Sequence, residues 1–331
     1  MSYRYLRVSH GAACALMTVV LLGLVGLARA DEKVSLRLDW VNSGYHAIWY
    51  YGLDKGLFKA DGIDLEVLEG RGSATTAQTV ANGSTQFGTV DAGTAMGLVA
   101  QGLPLKIVGG YLRQSPMAII FPKKNGWTKI QDMAGARLGY SPGGASAQLL
   151  TPVLKATGME GKINKINMEG SAKPTALLEG KVDAVETFDF LYVPLFEANN
   201  LPVSTFTYAS IGINVPGLAL VAGNDLIAKN PALVKKMVGL MEKTLAAARK
   251  DPEGAIDSLM KRAPTLQRPV ATRVLVLSFS LLDPDWSKGH ASAWLSPEVM
   301  EHAQDVLLQY GGLKEKRPIG DYFTNEFVAG N

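Results

Sequence analysis

The feature that most constrains the fold of this 331-residue chain is a repeated alternation of short strand patterns with helical ones. Val34 to Trp40 alternates apolar and polar side chains, and a helix is predicted from Ala47 to Asp54. A second strand is predicted from Ile63 to Leu68, and the same succession starts again at Arg137 to Tyr140. Strands that alternate with such helices form βαβ units. The predicted fold class is therefore α/β, with mostly parallel sheets flanked by helices.

Beyond Asn224 the pattern changes, and apolar residues recur every three or four positions. Helices are predicted over Asp225 to Lys250, Pro252 to Lys261 and Pro297 to Tyr310. Pro231, which follows Asn230, is typical of a helix start. Two α/β units followed by a helical tail fit either two domains in series or insertion of the second unit into the first.

The amino terminus has the layout of a secretory signal. Arg4 and Arg7 precede an uncharged apolar run from Gly11 to Leu27, and Ala28-Arg29-Ala30 places small residues at the cleavage positions. A cut before Asp31 is predicted, which would release the chain to the periplasm. The alternative is a membrane anchor, but the run is short for a spanning helix, which needs about 20 apolar residues.

Charge and composition exclude several classes of function. Of the 33 basic residues three lie in residues 1–30, so the exported chain has as many bases as acids and no basic block for a nucleic acid. The single cysteine, Cys14, leaves with the signal, which excludes disulfides and thiolate metal sites. His46, His290 and His302 are widely separated, and the sequence contains no nucleophile or phosphate-loop signature. We expect no metal, no cofactor, no nucleic-acid partner and no catalysis.

The segment from Leu38 to Gly70 resembles a known family. After its polar turn it contains two blocks that match the family, Lys55-Gly56-Leu57-Phe58 and Asp61-Gly62-Ile63-Asp64-Leu65. Further blocks follow in order over nearly the whole exported chain: Gly88 to Gly93, Asp132 to Tyr140, Leu178 to Ala184 and Asn230-Pro231. The chain resembles the nitrate, sulfonate, taurine and thiamine-precursor family of ABC-transporter solute-binding proteins. Tyr45-His46-Ala47 and Asp285-Trp286 make it most similar to the thiamine-pyrimidine-precursor branch.

The resemblance implies a two-lobe, type II-like periplasmic binding protein with a hinge, which favours insertion. The predicted first lobe is 31–122 with 224–331 and the second is 123–223, with crossings near Phe121 to Gly126 and Asn214 to Gly223. A monomer that delivers a small planar ligand, such as a thiamine pyrimidine precursor, to an inner-membrane permease is expected. Sulfonate, taurine, nitrate or an aromatic carboxylate are the alternative ligands. The same branch contains a pyrimidine-forming enzyme with a histidine in the matching turn. An enzyme that uses His46 is therefore the rival interpretation. That enzyme also has a run of cysteines, which this chain does not have.

Three loops are predicted to form the binding site, because ligands of α/β lobes lie beyond the carboxyl ends of parallel strands. The first supplies Trp40 and Tyr45, whose rings could stack on a flat ligand, and His46, which could donate a hydrogen bond to it. The second supplies Arg71, Gly72 and Ser73, which suit an anionic group. The third, in the other lobe, supplies Ser141, Gly143, Gly144 and Ala145, a Gly-rich turn that opens a helix.

Acidic residues at strand ends complete the predicted site. Asp91 and Thr94 follow a strand of the first lobe, and Glu186 and Asp189 end a strand of the second. Each acid could accept a hydrogen bond from an amino group of the ligand, although acids at such positions more often cap a helix or face solvent.

Overall fold

The computed structural model describes Met1, residues 31–310 and residues 312–330. The predicted export signal and Cys14 lie outside the described residues. Within them the chain forms two five-stranded sheets, each flanked by helices, which confirms the predicted two-lobe α/β fold.

The first sheet has the strand order β2-β1-β3-β10-β4. Its strands are β1 (Glu32–Arg37), β2 (Ile63–Leu68), β3 (Phe87–Asp91), β4 (Leu105–Gly110) and β10 (Leu218–Gly223). The strand β1 is parallel to β2 and β3, while β10 runs antiparallel between β3 and β4. The central strands β3 and β10 are buried along their whole length, as a sheet covered on both faces requires.

The second sheet repeats this plan with the order β7-β6-β8-β5-β9. Its strands are β5 (Met117–Pro122), β6 (Arg137–Tyr140), β7 (Asn164–Asn167), β8 (Ala184–Phe188) and β9 (Val203–Thr207). Here β6 is parallel to β7 and β8, and β5 is the antiparallel strand between β8 and β9. Each sheet is thus mixed, with four strands in one direction and one strand reversed.

The helices cover both sheets and form the carboxyl-terminal part of the chain. They are α1 (Ala47–Asp54), α2 (Leu57–Ala60), α3 (Ser73–Ala81), α4 (Ala92–Ala100), α5 (Ala145–Gln148), α6 (Leu150–Ala156), α7 (Lys173–Leu178), α8 (Asp189–Ala198), α9 (Asn224–Lys229), α10 (Pro231–Lys250), α11 (Pro252–Met260), α12 (Arg268–Phe279) and α13 (Pro297–Gln309). The predicted helix from Asp225 is divided at Asn230, because Pro231 starts a new helix whose N-cap is the Asn230 side chain.

The helix α12, which the sequence analysis did not predict, connects the two lobes. It packs on the turn Gly44–His46 of the first lobe and on α8 of the second. A side chain at Gly44 would overlap the backbone of Ala271, so glycine permits this close approach. Arg273 of α12 also forms an ion pair of 2.6 Å with Glu197 of α8.

The chain passes between the sheets twice, and the two passages lie side by side. The backbone N–H groups of Tyr111 and Leu112 both donate to the carbonyl of Leu218. Because β5 belongs to the second sheet and β10 to the first, the passages are residues 111–116 and 208–217, several residues before the expected positions. Two connecting segments that lie side by side suit a hinge. The lobe bounds predicted from the sequence remain a prediction.

Candidate functional site

A narrow cavity of about 30 Å³, here called the cleft cavity, lies between the two sheets. It is lined by residues of both lobes: Asp39, Trp40, Tyr45, Ser73, Gly144, Ala145, Ser146, Lys173, Thr187, Phe188 and Leu191. Most of these residues lie at or just beyond the carboxyl ends of β1, β6 and β8 or near the starts of helices, as expected for a site beyond the carboxyl ends of parallel strands. A space of this size holds one or two water molecules, so a larger ligand requires the lobes to separate or a side chain to move.

The wall from the first lobe is built around the carboxylate of Asp39. The Tyr45 hydroxyl donates to Asp39 Oδ2 at 2.7 Å, and the Thr89 hydroxyl donates to Oδ1 at 2.9 Å. His46 Nε2 lies 3.2 Å from the same Oδ1. Because a carboxylate offers about four acceptor positions, one remains for a donor in the cavity. Burial and then the nearby Asp39 raise the pKa of Tyr45 far above its usual value, so the phenol keeps its proton and donates.

His46 supports Asp39 and does not face the cavity. Its side chain is fully buried, and its Nδ1 accepts a hydrogen bond from the backbone N–H of Ser43 at 3.2 Å. The proton of a neutral imidazole is therefore on Nε2, directed at Asp39. The ring is part of the local framework of the first loop, and its contact with a ligand stays a prediction.

The wall from the second lobe is built around the buried ion pair of Lys173 and Glu186. Lys173 Nζ donates to Glu186 Oε1 at 2.9 Å and to the Glu186 carbonyl at 2.7 Å. Both side chains are almost completely buried, at 3% and 0% exposure. The Glu186 carboxylate also accepts from the Ser141 backbone N–H at 2.9 Å and from the Ser146 hydroxyl. The ion pair and two further donors explain how the charge of Glu186 is tolerated, and the third N–H of Lys173 is left for the cavity.

The indole of Trp40 lies between the lobes. It packs against Gly170 of the second lobe so closely that a Cβ at that position would overlap the ring. Lys173 Nζ lies 5.8 Å from the ring centroid, within the range of a cation–π interaction. Tyr45 makes an edge contact with Phe190 across the same gap, at a centroid distance of 5.3 Å. Aromatic side chains of the first lobe therefore close the cleft against the second.

The second and third predicted loops meet each other at the edge of the cleft. The backbone N–H of Ala74 lies 3.4 Å from the carbonyl of Gly143. Gly72, whose φ is 127°, leaves no space for a side chain against Gly143. A positive φ and this close approach both require glycine.

Asp91 and Thr94 lie behind Ser73 and are completely or almost completely buried. Asp91 Oδ1 accepts from the Thr94 backbone N–H at 2.8 Å and caps α4, while the Ser73 hydroxyl oxygen accepts from the Asp91 backbone N–H at 3.1 Å. Asp91 Oδ2 and Thr94 Oγ1 have no hydrogen-bond partner among the described residues. Burial, with a smaller contribution from Asp39, raises the pKa of Asp91 to about 7.

The predicted residues thus fall into three groups. Five line the cleft cavity: Trp40, Tyr45, Ser73, Gly144 and Ala145. The others adjoin it or stand behind it, apart from Arg71, which is exposed, and Asp189, which is half-buried and accepts from the Phe190 backbone N–H. Burial raises the pKa of Asp189. Contact of any of them with a ligand stays a prediction.

Sequence reasoning missed Asp39, Ser146, Lys173, Thr187, Phe188 and Leu191 as lining residues. Asp39 and Thr187 follow the same strand-end rule that selected Trp40 and Glu186, so that rule could have found them. Lys173 begins α7, after the loop that leaves β7, which is a fourth loop of the same kind. Among the described residues no cluster of three or more His, Cys, Asp or Glu is arranged to hold a metal ion.

Comparison with known proteins gives the family. The model of the NMT1/THI5-like family matches residues 43–255. A putative thiamine biosynthesis protein of Haemophilus influenzae is 30% identical over 47% of this chain and 50% of its own length. The riboflavin-binding protein RibY of Chloroflexus aurantiacus is 24% identical over 90% of this chain and 87% of its own length. A 4-amino-5-hydroxymethyl-2-methylpyrimidine phosphate synthase of Legionella pneumophila is 22% identical over 80% of this chain and 86% of its own.

Solved structures agree with the fold. A protein from Bordetella bronchiseptica superimposes with a TM-score of 0.72 at 20% identity, covering 89% of this chain and 95% of that one. The alkanesulfonate-binding protein SsuA of Xanthomonas axonopodis, bound to MOPS, gives 0.68 at 17% identity, covering 88% and 98%. No helix among the described residues combines the length and hydropathy needed to span a bilayer. The chain belongs to the NMT1/THI5-like family and has the two-lobe fold of periplasmic binding proteins.

Proposed function

We propose that this protein is the periplasmic solute-binding component of an ABC importer, and that it captures a small, planar, polar ligand between its lobes. One observation carries the proposal. Polar groups of both sheets converge on the cleft cavity, with Asp39 and Ser73 on one side and Lys173 and Ser146 on the other. A buried pocket with a few convergent polar groups and aromatic walls is the usual form of a small-molecule site.

The free hydrogen-bonding positions favour a ligand with both donors and acceptors. Asp39 keeps one acceptor position, while Lys173 keeps one donor and the Ser73 hydroxyl, which accepts from Asp91, keeps its proton. A flat ring stacked on Trp40 could satisfy all three, with a ring amino group directed at Asp39. An aminopyrimidine such as 4-amino-5-hydroxymethyl-2-methylpyrimidine has this pattern.

The charge of the cavity disfavours a free anion. The positive charge of Lys173 is already paired with Glu186, and Asp39 adds a negative charge on the opposite wall. A sulfonate, nitrate or carboxylate would therefore approach a site with no unpaired cation. The neutral heterocycle is the better match, and the anionic ligands are the second candidates.

Closure of the lobes would complete the site. The paired passages 111–116 and 208–217 form the hinge in this proposal, and the contact of Trp40 with Gly170 marks the closed form. Opening admits the ligand, closure excludes water, and the closed shape is the form that a permease would recognise.

The enzyme hypothesis rests on relatives named as pyrimidine phosphate synthases, such as that of Legionella pneumophila. Use of His46 as a base toward a substrate is disfavoured, because both ring nitrogens already face protein partners. Incubation with pyridoxal phosphate or a candidate ligand distinguishes the two hypotheses. Recovery of unchanged compound supports binding, and turnover supports the enzyme.

Calorimetric titration with the aminopyrimidine, taurine and benzoate tests the proposal. Trp40→Ala should weaken binding of the true ligand by about 5- to 150-fold, since stacking of a base on an aromatic side chain contributes about 1–3 kcal/mol. Trp127→Ala is the matched control, because Trp127 is also half-buried but packs on Phe121, away from the cleft. Equal loss in both variants, or no binding of any compound by the unmodified protein, would contradict the proposal.

A further inference from the structure

A second cavity of about 320 Å³, here called the side cavity, adjoins the cleft cavity. Trp40 and Leu191 line both cavities, so the Trp40 indole forms the partition between them. The side cavity is bounded by the first-lobe loop 40–44, by α7 and α8 of the second lobe, and by α12. It is therefore another space between the lobes, on the far side of Trp40.

The two cavities differ sharply in charge. The cleft cavity is lined by Asp39 and Lys173, whereas none of the residues that line the side cavity is charged. Its walls are largely aliphatic, and they include Leu195, Leu266, Val270 and Val274. Burying an ionised group there would leave it without a partner, while an apolar group would gain by leaving water.

The volumes point to a joint site. The cleft cavity alone, at about 30 Å³, has no room for a ring, and the side cavity at about 320 Å³ has the volume of a small ligand pocket, which usually measures about 300–1,000 Å³. Trp40 is only half-buried, so its ring has space to swing away from Gly170. That movement joins the polar and apolar spaces.

We propose that the side cavity is a subsite for an uncharged apolar substituent on the ligand, and that displacement of Trp40 from Gly170 connects it to the polar cleft. The inference rests on the proposed function and extends it. The ligand has two parts, a flat polar head held by Asp39 and Lys173 and an apolar group that packs on α12. The chemical class is a heteroaromatic or aromatic compound with an uncharged aryl or alkyl extension.

Matched probe pairs test this subsite. The first pair is 4-amino-5-hydroxymethyl-2-methylpyrimidine and its benzyl ether, and the second is benzoate and biphenyl-4-carboxylate. For a head that binds, the extended partner should bind at least tenfold more tightly by calorimetry. Val270→Trp, which fills the side cavity, should remove that gain and leave the affinity of the short head within about twofold. Val276→Trp is the control, because Val276 is on the same helix but 50% exposed, and it should change neither affinity.

Leu266→Trp is a second filling variant at a half-buried loop position, in case Val270→Trp does not fold. The subsite is overturned if a head binds and its extension brings no gain, or if the filling variants weaken both partners equally. In either case the proposed function stands. If no head binds, the proposed function fails together with the subsite.

Discussion

Lys173→Met removes the cation of the buried ion pair in the second lobe. The ammonium makes two hydrogen bonds to Glu186, at 2.7 Å and 2.9 Å, and its side chain is 3% exposed. Methionine keeps similar length and apolar character but cannot donate. Glu186 would retain the Ser141 N–H and the Ser146 hydroxyl as partners, but its charge would no longer be balanced.

The expected cost follows from this geometry. Removal of one partner of a buried ion pair destabilises a protein by about 3–5 kcal/mol, because the other charge stays buried without compensation. At about 2–4 °C per kcal/mol, the melting temperature should fall by about 6–20 °C. Lys173→Met/Glu186→Met should be less destabilised than the sum of the single variants, with a coupling energy in the range of about 0.5–3 kcal/mol.

Urea denaturation and thermal melting of the four proteins in the cycle measure these values. Lys229→Met is the matched control, because Lys229 forms an exposed i,i+4 pair with Asp225 at 2.8 Å. It should cost less than about 0.5 kcal/mol. A cost below about 1 kcal/mol for Lys173→Met, or additive costs in the cycle, would refute the argument that Lys173 and Glu186 depend on each other.

Two further perturbations test the cleft. In Gly170→Ala the Trp40 indole should move away by roughly 1.5 Å to restore ordinary van der Waals separation, and the tryptophan fluorescence of the free protein should shift to the red. Gly239→Ala is the control, because it adds a methyl group at a helical position with open space, and it should leave the spectrum unchanged. Asp91→Asn tests the raised pKa: because the folded pKa of about 7 exceeds the unfolded value of 3.8, the contribution of Asp91 to wild-type stability should fall as pH rises from about 4 to 7 and then level off. Asparagine keeps the helix cap but carries no charge. Between pH 4 and pH 8 the free energy of unfolding of the variant, measured relative to that of the wild type in urea titrations, should therefore rise by an amount on the order of 4 kcal/mol. Parallel pH profiles of the two proteins would contradict this.

Local pattern determined which parts of the fold could be predicted. The helix Ala47–Asp54 and the strand Ile63–Leu68 have the predicted bounds, because apolar periodicity and a following glycine are local signals. The rule that ligand loops follow strand ends likewise located the loops around Trp40, Ser73 and Gly144. Helix α12 was missed, since Arg268–Phe279 has a weak apolar periodicity and obtains its burial from α11 and the Gly44–His46 turn.

Side-chain direction and buried charge could not be predicted. The alternation of apolar and polar side chains from Val34 to Trp40 predicts Asp39 on the polar face of a strand. In the structure β1 ends at Arg37, and the next turn directs the Asp39 carboxylate inward to Tyr45 and Thr89. Lysines are almost never fully buried unless paired, and the partner of Lys173 lies 13 residues away on another element. The partition formed by Trp40 depends on contacts between lobes, which no single loop encodes.

The structure of the protein with its ligand tests the central claim most directly. The account predicts one ligand molecule in contact with Trp40 or Asp39 of the first lobe and with Lys173 of the second, in an enclosed cleft. A ligand bound to one lobe alone, or outside the space between the two sheets, would contradict it.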